Sequence, residues 1–94
     1  MAGKKVKTAL AEVAAEFLGR VTGRQSLITV TRVEVSPDGR QAIIYISVFP
    51  TPAATAATDF VRRQLGDLRQ YVGERLRLRT LPYFEVALDP DLHL

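Results

Sequence analysis

Apolar residues recur three and four positions apart at the start of the chain, at Val6, Leu10, Val13, Ala14, Phe17 and Leu18. That spacing is one stripe of an amphipathic helix, and Gly19 or Gly23 can end it. Lys4, Lys5, Lys7, Glu12 and Glu16 lie off the stripe or at its start and are expected to face solvent or a partner. The period then changes. Residues 27–35, LITVTRVEV, are rich in β-branched types, Ser36-Pro37-Asp38-Gly39 supplies turn chemistry, and Gln41 to Phe49 is a second β-rich run, which together predict a hairpin. On the second strand Ala42, Ile44, Ile46 and Val48 fall on one face, and Ile43, Tyr45, Ser47 and Phe49 on the other. On the first, Ile28 and Val30 share one parity while Val33 and Val35 share the other, so a bulge or strong twist is expected near Thr31-Arg32.

Pro50-Thr51-Pro52 breaks the strand, with Thr51 placed to cap a helix whose first turn accepts Pro52. Ala56, Ala57, Phe60, Val61 and Leu65 keep helical spacing up to Gly66, and Asp67 is placed to cap a restart carrying Leu68, Tyr71, Val72 and Leu76. This reads as two helices meeting at a kink. The alternative is one long helix that tolerates Gly66 and Gly73 at a cost of about 1 kcal/mol each relative to alanine. Pro82 is expected to end the helical region. Phe84, Val86 and Leu88 then alternate with Glu85 and Asp89 as in a half-buried strand, closed by Asp89-Pro90-Asp91. The order α-β-β-α-α-β predicts an α+β fold with three helices on one face of a three-stranded sheet.

A chain of 94 residues has too little apolar surface for a second core, so residues 1–94 are expected to form one domain, monomeric by default. There are no cysteines, which excludes disulfides, thiolate metal sites and a cysteine nucleophile, and fits a reducing cytoplasm. Glu12 and Glu16 interrupt what would be a signal peptide's apolar stretch, and no run is long and apolar enough to span a membrane, so a soluble protein is expected. Charge is polarised: the net value is +3 for residues 1–24, −1 for 25–61, +4 for 62–79 and −3 for 80–94. Two cationic segments beside an acidic tail suggest a surface for a polyanion, although a solvated helix face is also often Arg-rich.

Catalytic chemistry is not evident. The single histidine, His93, is next to the last residue, and no metal-protease, hydrolase or P-loop spacing occurs, so no enzyme, metal or cofactor is expected. The sharper feature is Phe60 to Arg79, FVRRQLGDLRQYVGERLRLR, where arginines thread between apolar positions. Arginine presents a fork of donors that matches phosphate oxygens, and a helix starting after Gly66 adds backbone amides and its positive end. Arg62, Arg63, Arg69 and Arg77 are the candidate phosphate contacts, with Gly66 at the turn and Arg79 beside them. Arg75 lies near the apolar stripe and suits a stem that buries its carbons. Lys4, Lys5 and Lys7 form a second basic cluster that can close around an RNA backbone or serve only as a solvated terminus. The aromatic residues mostly occupy core-compatible positions, which disfavours a platform for stacking single-stranded bases.

The run Ile28-Thr29-Val30-Thr31-Arg32-Val33-Glu34-Val35-Ser36-Pro37-Asp38, followed by Ala42 to Val48, resembles the hairpin signature of the ribosome-binding factor A family. The basic first helix is similar to that family's opening helix. Arg75-Leu76-Arg77-Leu78-Arg79, Pro82 and Phe84 to Leu88 resemble its last helix and strand, so the likeness runs over roughly residues 4–92. The resemblance implies a K-homology fold of the second type with a mixed sheet. It also implies a non-catalytic factor of late small-subunit maturation, with the small ribosomal subunit and its precursor rRNA as partners. The family places an Ala-x-Gly kink between its two central helices; here Gln64-Leu65-Gly66 keeps the glycine and replaces the alanine.

Overall fold

The computed structural model describes residues 4–22 and 27–90. Gly23, Asp91 and His93 lie outside the described residues. In chain order the elements are α1 (Lys4–Val21), β1 (Leu27–Val35), β2 (Gln41–Phe49), a 3-10 turn (Thr51–Ala53), α2 (Ala54–Arg63), α3 (Leu65–Arg75) and β3 (Tyr83–Leu88). The sheet order is β1-β2-β3, with β1 antiparallel and β3 parallel to β2, so the sheet is mixed as expected. Parallel pairing needs a long crossover, and α2, α3 and the segment 76–82 supply it.

The first strand is bulged where the change of parity required it. Val30 pairs with Ile46 and Val33 with Ile44, so the register slips by one residue between Val30 and Arg32. The extra residue turns Ile28, Val30, Val33 and Val35 to the same face, opposite Val48, Ile46, Ile44 and Ala42. Thr31 at the bulge donates its hydroxyl to the carboxylate of Asp89 at 2.6 Å and lies 3.2 Å from the carbonyl of Tyr45. Asp89 is thereby more than the residue that closes β3: its side chain is only 6% exposed, it lies 3.7 Å from Arg32 Nε, and its amide donates to Ile46 O. The hairpin turn is held at Ser36, whose carbonyl accepts from the Gly39 amide. Gly39 sits at φ 75°, a conformation that disfavours a side chain.

Helices cover the sheet face carrying Val33, Ala42, Ile44, Ile46, Phe84 and Val86, where Leu10, Ala14, Phe17 and Leu18 of α1, Val61 of α2, and Leu68 and Val72 of α3 complete the core. The opposite face is bare of helices. It holds Tyr45 and Ile43, half-buried by neighbouring strands, and ends in Leu27 and Phe49, which are well exposed.

The first helix runs through Gly19 to Val21, and Gly23, the other residue named to end it, lies outside the described residues. Three local expectations are corrected. Thr51 is the first residue of the 3-10 turn, and Pro50 occupies the cap with no side-chain bond. Asp67 lies in the first turn of α3, whose cap is Gln64 at φ −94° and ψ −1°, so the helix restarts before Asp67. Finally, α3 stops at Arg75, with Leu76 extended at φ −123° and ψ 138°, seven residues before Pro82. Arg75 is therefore the last helical residue, and Leu76 to Arg79 belong to an extended connector. Leu76 and Leu78 are half-buried there and the arginines between them point outward, which satisfies the apolar residues with a period of two.

Candidate nucleic-acid interface

The outer edge of β3 faces the junction of α2 and α3 across a groove. Leu65, Leu81 and Phe84 supply its apolar lining, and Gly66, Arg69 and Gln70 its α3 side; this part encloses about 700 Å³. The groove continues past Arg62, Glu85 and Val86. Three of the residues singled out from sequence, Arg62, Gly66 and Arg69, thus come together along one edge. A Cβ built at Gly66 meets nothing within 4 Å and its φ is not left-handed, so glycine is not required there by the fold. What the missing side chain provides is a bare stretch of backbone beside the groove.

Arg69 is partly committed to the protein itself. Its Nε donates to Pro82 O at 3.1 Å and its Nη2 to Leu81 O at 3.0 Å, while its guanidinium lies 4.0 Å from the centre of the Tyr83 ring. Two of the five donors hold the connector against α3, leaving part of the fork for an outside acceptor. Tyr83 is 61% exposed, so one aromatic ring, at a position counted as core-compatible from sequence, stands at the groove. Its position after Pro82 at the start of a strand, on the parity opposite Phe84 and Val86, is the signal that reveals it.

Arg62 pairs with Asp59 at 2.8 Å on the exposed side of α2. An exposed pair of this kind contributes at most about 1 kcal/mol and exchanges readily for a phosphate. Arg63, Arg77 and Arg79 are exposed and without a side-chain partner among the described residues. Arg63 and Arg77 line neither part of the groove, whereas Arg79 borders a separate pocket beside α1 and the hairpin turn. Lys5 is exposed on α1, Lys7 pairs with Glu34 at 3.4 Å, and the Lys4 side chain lies outside the described residues.

Arg75 has a role that its position on the stripe did not suggest. It meets Glu16 of α1 at 2.7 Å and lies over the Tyr71 ring, which also donates its hydroxyl to Glu16. Arg20 approaches the same carboxylate at 3.9 Å. The Tyr71 hydrogen bond, with Arg75 and Arg20 adding positive charge, holds the Glu16 carboxyl below its usual value; the bond to Glu16 raises the Tyr71 hydroxyl. This cluster joins α1 to α3 and keeps two guanidinium groups at the protein surface. Among the described residues no group of histidine and carboxylate side chains is arranged to hold a metal ion, and no helix is long and apolar enough to cross a membrane.

Residues 2–93 match the family model described as ribosome-binding factor A. The chain is 44% identical over 69 residues to ribosome-binding factor A of Gloeobacter violaceus, covering 72% of this chain and 52% of that protein. It is 33% identical over 91 residues to the corresponding protein of Thermodesulfovibrio yellowstonii, covering 95% and 77%. Relatives such as those of Gloeobacter violaceus and Clostridium novyi are matched over only 52% and 59% of their length. The crystal structure of ribosome-binding factor A from Thermus thermophilus superposes with a TM-score of 0.82 at 26% identity, over 92% of this chain and 96% of that one. A homology model of the Thermus thermophilus factor, fitted into a cryo-EM map of its complex with the 30S subunit, is similar with a TM-score of 0.72 at 25% identity, over 86% and 88%.

Proposed function

Because this chain belongs to the ribosome-binding factor A family, we propose that it binds the small ribosomal subunit or its precursor rRNA and assists late subunit maturation. It acts in the cytoplasm as a monomer, by binding alone, without turnover, cofactor or small-molecule substrate. The observation that carries this reading is the groove along β3, where a bare backbone at Gly66 stands between Arg62 and Arg69. An RNA backbone lies in such a groove with its phosphates toward the guanidinium groups, and Arg63, Arg77, Arg79 and the lysines Lys4, Lys5 and Lys7 add contacts outside it. Phosphate contacts position RNA without reading its bases, so specificity comes from the folded shape of the rRNA.

Co-sedimentation of the protein with small subunits, and separately with short single-stranded RNAs, at two salt concentrations tests the reading. Salt-sensitive binding to the subunit is expected, and replacing one contacting arginine, Arg62→Gln, should flatten the logarithmic salt slope by about 0.7–0.9. Affinity that does not change with salt overturns the mechanism. A second reading, a general K-homology RNA-binding module without ribosome specificity, draws on the exposed ring of Tyr83 at the groove, which suits a stacked single-stranded base. Preferential binding to the short strands would favour it.

A further inference from the structure

A second cavity, of about 190 Å³, opens between the start of α1, the hairpin turn and the connector. Its apolar lining is Val6, Leu10, Val35, Leu78 and Pro82, and its polar lining includes Asp38, Arg79 and Thr80. That volume exceeds the roughly 150 Å³ of an engineered apolar cavity that accepts benzene and falls below the roughly 300 Å³ at which sites for larger ligands begin. The space suits one ring system. The apolar lining offers contact to the faces of a flat ring, and the polar groups supply direction.

Asp38 is held by the turn. Its Oδ1 accepts from the Ser36 hydroxyl at 2.7 Å and from the Arg40 amide at 3.0 Å, and neither bond uses Oδ2. Those two bonds, the Ser36 hydroxyl first, keep the carboxyl ionised to lower pH than usual, so near neutrality it is an acceptor only. Arg79, by contrast, is exposed and without a side-chain partner among the described residues, at the end of the segment with the greatest positive charge. A fixed acceptor and an uncommitted guanidinium at one apolar cavity match the two ends of a nucleotide: an amino group on the base and a phosphate.

We propose that this pocket receives a single unpaired nucleobase bearing an exocyclic amino group, with the Asp38 carboxylate accepting from that amino group and Arg79 holding the nucleotide's phosphate. Cytosine, adenine and guanine have the required donor, whereas uracil has no amino group and offers only an N3–H flanked by two carbonyl oxygens that repel a carboxylate. The connector forms one side of this pocket through Leu78 to Pro82 and also borders the β3 groove through Leu81. The pocket deepens the RNA-binding reading above and rests on it.

Nuclear magnetic resonance titration of the ¹⁵N-labelled protein with CMP, AMP, GMP and UMP tests the assignment. Saturable shifts are expected at the amides of Gly39, Arg40 and Thr80, with UMP bound at least about fivefold more weakly than the other three. Arg79→Gln should weaken all four nucleotides alike while leaving the corresponding nucleosides unchanged. Asp38→Asn keeps an oxygen acceptor for Ser36 and Arg40 and adds an amide donor, so the bias against UMP should vanish or reverse. Equal binding of all four nucleotides, or shifts confined to Leu65, Gly66 and Tyr83, overturns the pocket. If the subunit still sediments with the protein in that case, RNA binding stands and only the pocket falls. Selective nucleotide shifts from a protein that ignores the subunit would instead support the pocket and remove the ribosomal reading.

Discussion

Asp89 joins parts of the chain that are distant in sequence: it accepts from Thr31 at the bulge, approaches Arg32, and bonds β2 through its amide. Its carboxylate is nearly buried, so removing it leaves the bulge without its charged acceptor. Asp89→Ala should lower stability by about 1.5–3 kcal/mol in urea unfolding. The two helical glycines differ in a way composition does not reveal. At Gly66 an added Cβ meets nothing, whereas at Gly73 it sits 3.1 Å from Leu81 Cδ2. Gly66→Ala is expected to raise stability by about 0.4–1 kcal/mol, with Gly73→Ala gaining less because the connector must yield. If RNA approaches the bare backbone at Gly66, the same Gly66→Ala protein should bind subunits more weakly than wild type. A stabler protein with unchanged binding would remove Gly66 from the interface.

Among the elements, α1 and α3 are joined by Glu16, Tyr71, Arg75 and Arg20. Glu16 has a lowered pKa in the folded protein, so its contribution is present above its ordinary value of 4.5 and is lost as pH falls through the folded value. Tyr71 has a raised pKa, so its contribution is present below its ordinary value of 10.0 and is lost as pH rises through the folded value. Tyr71→Phe keeps the ring beside Phe17 and removes the hydroxyl. The stability difference between wild type and Tyr71→Phe should therefore be flat from about pH 5 to 9 and shrink at both extremes. A difference unchanged across the acid range would mean that the Glu16 bond contributes nothing. At this scale α1 and the second strand of the hairpin were legible from an unbroken period of apolar residues, and the bulge from the one place where the period of two changes parity. The end of α3 was not, because Leu68, Val72 and Leu76 continue a helical spacing while Leu76 and Leu78 begin an extended one. Tertiary burial of the connector favoured the second, and Gly73 is the local sign that another segment lies close.

For the whole molecule, the sheet has one face sealed by helices and one without them, and the two should respond differently to substitution. Ile44 is fully buried and Phe49 is 66% exposed. Ile44→Ala should cost roughly 2–5 kcal/mol, and Phe49→Ser should change stability by less than about 0.5 kcal/mol; similar losses at both would show that the bare face is covered in solution. Of the interface, the cationic character of residues 62–79 could be read from charge alone. Which arginines share a groove could not, since that depends on where α3 ends and on β3 lying parallel to β2. The hairpin closes a short turn, whereas pairing β3 with β2 closes a loop that spans two helices and the connector, at a greater entropic cost. The groove is bounded by β3, so a chain in which that strand is unpaired lacks one wall of the proposed RNA site.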